Sequence, residues 1–408
     1  MKFKILFVAV FLFSLSILAN DIEIKSLKVY QNNQQTSFPI LFKNSKITIE
    51  FDIKSDYQPN LEILFVFCDQ NWEPYEDYIF ANDLYNTERN LWFEVLPFRS
   101  DRARYHYKGS FPNENVNFPF SGKWQFYIID TDDPDYFYES GKFYVINQNE
   151  VHLKTSLKSQ RLEGRDADPA IFGQIYNLRV AFQLPDSLFT QQVKNIEIVE
   201  NRKIEYPIIL DKSYDNQWRY YEIDGAKSLS FYAKDIQPGG EYRQANLMNK
   251  TKYTPPKVYA RFDGIDISRK FKPSGNDFNG GSKLMNYEDE YAEYMDAEFR
   301  LRLPDNYYQN IFLVGAFNNW KILPEYLMEE DDGYFTKTIE LKRGIYDYQY
   351  VTADLIDDYY IENESWIELE GNDWRTKNEY YIFLYYDSPE IGGYDKIIGF
   401  AQLKSGLK

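Results

Sequence analysis

The chain has 408 residues, of which 44% are hydrophobic and 18% aromatic, so it can bury sizeable cores and should divide into two or three domains. Its formal net charge of −17 makes nucleic acid and anionic lipid poor partners. The 37 Tyr and 31 Phe favour β-strands, and the single cysteine, Cys68, excludes an internal disulfide.

The first residues are typical of an export signal. A basic start, MKFK, precedes the apolar run ILFVAVFLFSLSI and a small residue at Ala19. This run is shorter than the roughly 20 residues that a membrane-spanning helix needs. We therefore interpret residues 1–19 as a cleaved signal peptide and expect an exported protein with no direct membrane span.

Short runs of alternating apolar and polar residues follow, separated by turn residues. They include KITIEFDI, LEILFVFC and KWQFYIID, then NLRVAFQL, VKNIEIVE and SLSFYA, and finally IFLVGAF, YFTKTIEL and EYYIFLYY. Period-two patterns of this length predict antiparallel β-sandwiches. We expect an all-β fold of tandem immunoglobulin-like or early-set antiparallel β-sandwiches with few short helices. The predicted domains are an N-terminal sandwich at 20–147, a middle sandwich at 148–286 and an acidic C-terminal sandwich at 287–408.

The negative charge is concentrated in the predicted C-terminal sandwich. Residues 287–408 contain 26 Asp plus Glu against 11 Lys plus Arg, a net charge of −15. The most acidic stretch, DDYYIENESWIELEGNDW at 357–374, is interpreted as a solvated loop.

Few residues are suited to catalysis. The chain has only two histidines, His106 and His152, and no GxSxG elbow, HExxH motif or phosphate-binding Gly-rich loop. Cys68 and His106 would make a nucleophile and base only if they met, but Cys68 ends an apolar run and is interpreted as a small core residue. Pairs of carboxylates suited to a glycosidase are not excluded by sequence. We expect no enzyme activity, no catalytic residue and no cofactor.

A short acidic stretch, DTDDPD, raises the question of a calcium site. Hard oxygen ligands suit Ca²⁺, but the EF-hand pattern is not met. A hairpin loop whose Asp side chains bond the amides of the turn is the simpler interpretation, so no metal site is expected. The candidate ligands, should calcium bind, are Asp130, Asp132, Asp133 and Asp135.

Two loops contain an Asn-Trp pair between apolar strands. LFVFCDQNWEPYEDY at 64–78 and FLVGAFNNWKILPEY at 312–326 both run from a strand through this pair to a proline. Such loops bind sugars, meet protein partners or simply turn corners. The candidate binding residues are therefore Trp72, Asn318, Asn319 and Trp320.

Several stretches together resemble the plug proteins of the type IX secretion system, a family long known only as a Bacteroidetes domain of unknown function. They are LFVFCDQNWEP, FPNENVNFPFSGKWQFYIID, GGEYR, VGAFNNW, GIYDYQYV, TKNEYYIFLYY and GYDKIIGF, in order along nearly the whole chain. The resemblance implies a non-catalytic periplasmic protein at the inner face of the outer membrane. It would dock on the outer-membrane translocon barrel and seal the periplasmic opening of that barrel.

The C-terminal part also resembles the sandwich modules that bind glycogen and starch. It shares with them a strand followed by GAFNNW, a DGYF turn and GIYDYQYV, and Trp320 matches the first sugar-stacking Trp of those modules. The position expected to hold a Lys is Gln349, and Trp366 and Trp374 are the candidates for the second Trp. The alternative function is thus an exported glucan-binding sandwich protein, although carbohydrate is not the expected partner.

Overall fold

The computed structural model describes residues 22–76, 80, 86–161, 174–213, 216–268, 277–303, 309–357 and 359–406. The predicted signal peptide, 1–19, lies outside the described residues. Strands dominate the described chain, and its helical elements are three short 3-10 segments at Thr190–Gln192, Pro324–Tyr326 and Glu390–Gly392. The prediction of an all-β fold built from sandwiches is confirmed.

The first sandwich uses the N-terminal part of the chain. Its strands are β1 (Glu23–Gln31), β2 (Ile40–Phe42), β3 (Ile47–Lys54), β4 (Leu61–Cys68), β5 (Thr87–Glu88), β6 (Glu94–Val95), β7 (Tyr105–Phe111), β8 (Gly122–Asp130) and β9 (Phe137–Ile146). They form two sheets, ordered β1-β3-β7-β6 and β2-β9-β8-β4-β5. Alternate residues of β4, such as Ile63, Phe65 and Phe67, enter the core between the sheets, as a period-two pattern requires.

The second set of strands contributes to both the middle and the third sandwich. These strands are β10 (Lys154–Arg161), β11 (Gln174–Gln183), β12 (Val193–Glu200), β13 (Ile208–Asp211), β14 (Arg219–Ile223), β15 (Ser228–Ile236), β16 (Arg243–Asn246), β17 (Lys257–Tyr259), β18 (Asp266–Ile267) and β19 (Ser282–Leu284). The last set is β20 (Tyr294–Arg302), β21 (Asn310–Gly315), β22 (Glu329–Asp331), β23 (Tyr334–Lys342), β24 (Gly344–Ile356), β25 (Tyr360–Ser365), β26 (Glu379–Ser388) and β27 (Tyr394–Lys404).

The middle sandwich is assembled from two separated segments of the chain. One sheet is β10-β11-β15-β14, and the other, β13-β12-β26-β27, contains the last two strands of the chain. Ile382 and Leu384 of β26 pack beside Ile196 and Ile198 of β12 in its core. The predicted division into a middle sandwich at 148–286 and a C-terminal sandwich at 287–408 is therefore wrong in this respect. Alternation predicts that a strand exists but not which strand it pairs with.

The third sandwich lies between those two segments in sequence, as an insertion into the middle sandwich. Its sheets are built on β24, which pairs with β16, β19, β21 and β25, and on β20, which pairs with β17, β18 and β23, with β22 at the edge. Pairing is antiparallel as predicted except at β2 with β9 and at β17 and β18 with β20, which are parallel. These exceptions are short strands of two or three residues.

Each pair of sandwiches is joined by buried polar contacts. Lys123 of the first sandwich meets Glu197 of the middle one at 2.8 Å, and both side chains are 1% exposed. Lys342 of the third sandwich donates a hydrogen bond to the buried Asp52 of the first at 2.6 Å. Asn201 of the middle sandwich donates to the Tyr242 hydroxyl at 2.9 Å. Buried polar groups so paired favour one relative arrangement of the three sandwiches.

Candidate functional site at the junction of the three sandwiches

The first Asn-Trp loop follows strand β4. Asp69 Oδ1 accepts hydrogen bonds from the backbone N–H groups of Asn71 at 2.7 Å and Glu73 at 2.9 Å, which fixes a tight turn. This turn gives Trp72 a φ of 68°, in the left-handed region. The half-buried indole lies under the Lys142 and Lys123 ammonium groups, 4.9 and 4.6 Å from its ring centroid.

The second Asn-Trp loop follows strand β21 and has a similar construction. Asn318 Oδ1 accepts a hydrogen bond from the Gly315 N–H at 3.0 Å, and the Asn318 amide donates to the Lys321 carbonyl. Asn319 and Trp320 have φ values of 53° and 62°. Asn318 is therefore a buried residue that holds the loop together, whereas Asn319 is exposed.

The Trp320 side chain does not stand out in solvent. Only 1% of it is exposed, its ring centroid is 4.4 Å from that of Tyr242, and its Nε1–H donates to the Gly280 carbonyl at 2.8 Å. Gly280 has a φ of 85°, and a Cβ there would lie 3.0 Å from Trp320 Nε1, so this close approach requires glycine. Sugar-stacking indoles must present a face, which Trp320 largely does not.

Both loops nevertheless line one cavity of about 290 Å³, which lies where the three sandwiches meet. Trp72 and Lys142 come from the first sandwich, Arg202 and Glu205 from the middle one, and the edge of Trp320 with Asn319 and Lys321 from the third. Three of the four predicted binding residues, Trp72, Asn319 and Trp320, thus lie on the same cavity. We name it the junction cavity.

The charged residues of the junction cavity were not predicted from the sequence. Lys142 Nζ lies 2.8 Å from Glu205 Oε2, a pair that links the first and middle sandwiches. Arg202 has a different environment, because burial lowers the pKa of its guanidinium to about 10 and no carboxylate lies within ion-pair distance among the described residues. Arg202 lies in the sequence NRK, which contains no motif that predicts a binding site.

The other predicted candidates lie elsewhere. Asp130 Oδ1 accepts the backbone N–H of Asp132 at 2.9 Å, and its Oδ2 accepts the Tyr138 hydroxyl at 2.7 Å, while Asp132, Asp133 and Asp135 are exposed. Over the described part of the chain, no three His, Cys, Asp or Glu side chains are grouped so as to hold a metal ion.

Cys68 and His106 lie in different sheets of the first sandwich. Burial raises the pKa of the Cys68 thiol to about 12, and its Sγ contacts the Val66 carbonyl. The His106 imidazole is hydrogen-bonded to Asp52 at 2.7 Å instead. A thiol with a pKa this high is protonated at neutral pH, and the protonated form is a poor nucleophile.

An exposed apolar ridge lies on the first sandwich at residues 92–98. Trp92, Val95 and Phe98 are 84%, 70% and 101% exposed, whereas Phe93 and Leu96 between them are buried. The alternation anchors the segment while presenting large apolar side chains to solvent. We call these seven residues the Trp92–Phe98 ridge. Several large apolar side chains exposed close together mark an interaction surface more often than a single exposed apolar side chain does.

Comparison with known proteins first defines a class, that of tandem β-sandwich proteins. The fold is similar to the crystal structure of a hypothetical protein from Parabacteroides merdae ATCC 43184, with a TM-score of 0.76 and 19% identity. The match covers 94% of this chain and 98% of that one, and at this identity it shows the fold alone.

A sequence-family comparison is more specific. Residues 24–147 match the model of the type 9 secretion system plug protein 1st domain, which supports the plug family. The match covers the first sandwich, including the loop of Trp72 and the Trp92–Phe98 ridge. No curated protein matches the chain. Among the described residues, no helix has the length and apolar character needed to cross a membrane.

Proposed function

We propose that this protein is a non-catalytic periplasmic plug. It docks on the outer-membrane barrel of the type IX translocon and seals the periplasmic opening of that barrel. The observation that carries the proposal is the match of residues 24–147 to the first domain of the plug family. A family member of this kind belongs to the secretion machinery on the periplasmic side of the envelope.

The packing of the sandwiches is suited to closing an opening. A plug must resist deformation, and two-sheet sandwiches joined through buried ion pairs such as Lys123–Glu197 and Asp52–Lys342 resist relative movement. The Trp92–Phe98 ridge supplies the exposed aromatic groups that protein interfaces use as anchors. Because the ridge belongs to the family-matched sandwich, we place the docking surface there.

A pair of substitutions in the ridge tests both the partner and the surface. We expect Trp92→Ser with Phe98→Ser to weaken co-purification with the translocon barrel in mild detergent by about 10-fold or more, as for interface anchors. The thermal unfolding of the variant should match that of the wild type, because both side chains are exposed. Tyr359→Ser, at an 81% exposed residue of the third sandwich, is the control and should co-purify normally.

The two parts of the proposal fail differently. If the wild-type protein does not co-purify with the barrel, or if its deletion leaves the pore as tight to small solutes as before, the plug function is wrong. If the ridge variant binds as the wild type does, the function stands and the docking surface lies elsewhere.

Glucan binding, the alternative from the sequence, has less support. The Trp320 indole is 1% exposed, and Gln349, which stands where those modules have a Lys, is buried with its amide donating to the Trp366 carbonyl. We expect soluble glucans to leave the tryptophan fluorescence of the protein unchanged.

A further inference from the structure

Arg202 in the junction cavity is half-buried and makes no ion pair with a carboxylate among the described residues. Its Nη2 donates a hydrogen bond to the Ser37 carbonyl, and its Nε is buried with no hydrogen-bond partner among the described residues. Buried cations are ordinarily paired with carboxylates. A half-buried cation beside a cavity, with a buried nitrogen that has no partner, is an arrangement suited to binding an anion.

A second cation lines the same cavity without a partner. Lys321 directly follows Trp320, is half-buried, and its Nζ makes no hydrogen bond or ion pair within the part of the chain that the structure describes. Lys142, by contrast, is neutralised by Glu205. Two cations from different sandwiches therefore face one space with unused donor capacity.

The charges around the cavity indicate the valence of its ligand. Its charged lining residues are Lys142, Arg202, Lys321, Glu73 and Glu205. Three cations and two carboxylates leave one net positive charge, on a chain whose formal charge is −17. A monovalent anion would balance the lining, whereas a divalent phosphate would leave it negative.

The remaining walls indicate what the anion is attached to. The indole of Trp72 and the side chains of Leu27, Val29 and Ile204 provide apolar surface, and the amide of Gln125 provides a polar contact. A volume of about 290 Å³ is at the small end of ligand sites and too small for an oligosaccharide. An apolar or aromatic body the size of one side chain fits these walls.

We propose that the junction cavity binds a monocarboxylate with a small apolar or aromatic body, its carboxylate lying between Arg202 and Lys321. A free organic acid and the C-terminal carboxylate of a peptide share this chemistry. Because the ligand would touch all three sandwiches, its binding stabilises their arrangement. The proposal does not depend on docking to a translocon and is tested on the purified protein alone.

Thermal unfolding and calorimetric titration with five probes test the proposal. At about 10 mM, benzoate should raise the melting temperature by about 2 °C, while benzamide, which has the same shape without the charge, should not. Inorganic phosphate should be no better than benzamide. Acetyl-Gly-Phe with a free C-terminus, compared with its amide, shows whether a peptide carboxylate is accepted as well as a free acid.

Variants then locate the site. Lys321→Met and Arg202→Lys should weaken benzoate binding by about 10-fold or more, because a charge-assisted hydrogen bond is lost or misplaced. Lys337→Met is the matched control, since Lys337 is a half-buried lysine of the same sandwich, away from the cavity and without an ion pair to any described residue. Over the described residues, the Lys321 side chain makes no hydrogen bond or ion pair, so its variant should remain folded even where a change at Arg202 disturbs the contact with Ser37.

Each result has a definite meaning. The proposal is supported if benzoate binds better than benzamide, or the free peptide better than its amide, and if Lys321→Met loses this preference. Which of the two carboxylates binds identifies the source of the carboxylate. Any one of four results overturns the proposal. They are equal effects of benzoate and benzamide, equal effects of benzoate and phosphate, wild-type binding in both variants, and no response to either carboxylate.

Discussion

Replacing Trp320 with alanine is expected to lower the free energy of unfolding by about 3–5 kcal/mol, the range for removing a large buried aromatic side chain. The indole is 1% exposed, packs on Tyr242 and donates its Nε1–H to Gly280. Its loss leaves a cavity between the third sandwich and the middle one, and also leaves the Gly280 carbonyl without its donor. Urea unfolding followed by circular dichroism measures the effect.

Two further tryptophan variants separate the contributions. Trp320→Phe keeps most of the buried area and loses the hydrogen bond to Gly280. It should therefore cost only about 1–3 kcal/mol, the penalty for a buried carbonyl left without its donor, which is less than the cost of the alanine variant. Trp92→Ala removes the same residue type where it is 84% exposed and should change stability by no more than about 0.5 kcal/mol. Were Trp320→Ala to keep full stability and lose only glucan binding, Trp320 would be a sugar-binding residue after all.

Replacing Lys342 with methionine should cost a similar amount, about 3–5 kcal/mol, because it leaves the buried Asp52 without its cation. Asp52 is 1% exposed, and its carboxylate also accepts the Tyr294 hydroxyl at 2.7 Å and contacts His106. Burial alone would raise the pKa of Asp52, but the Lys342 ammonium and the His106 hydrogen bond outweigh it and hold that pKa below its usual value.

This pKa shift fixes the sign of the pH dependence. A depressed carboxyl pKa stabilises the folded protein at pH values above the unfolded pKa of about 3.9, and this stabilisation is lost as the pH falls through the folded pKa. The gap in unfolding free energy between wild type and Lys342→Met should therefore be full at neutral pH and narrow below about pH 4. Denaturation curves across this range measure it.

Matched variants keep the result interpretable. Asp52→Asn combined with Lys342→Met removes both charges and should recover much of the loss. Lys337→Met should be nearly neutral, because Lys337 lies on the same strand β23 and forms no ion pair within the described part of the chain. A gap between wild type and Lys342→Met that does not vary with pH would show that Asp52 is not the group responsible.

The sequence predicts those features of the fold that depend on residues close together along the chain. Alternation in runs such as LEILFVFC predicted the strands, and the confirmed all-β fold follows from them. The pairing of β26 with β12 was not predictable, because nothing in EYYIFLYY distinguishes a partner in the third sandwich from one in the middle sandwich. The short parallel pairs at the sheet edges escaped prediction for the same reason.

The burial of polar residues depends on contacts between residues that are far apart in the sequence. The stretch 357–374 was predicted to be a solvated acidic loop, yet it contains strand β25, and Glu370 within it is 4% exposed and paired with Arg243 at 2.8 Å. Composition indicates charge but not the partner that permits burial. Both Asn-Trp loops were found from the sequence, whereas their meeting beside Arg202 required the fold.

The two-segment construction of the middle sandwich sets an order of events as the chain is made. Synthesis runs from the N-terminus, so β12 is complete while β26 and β27 still await translation of the entire third sandwich. Until then one edge of β12 has unpaired backbone groups, and Ile196 and Ile198 lack their cover. The incomplete sheet of the nascent chain is therefore exposed to aggregation. The core of the middle sandwich is completed only when the last strands to be synthesised join the sheet, β26 beside β12 and β27 beside β26.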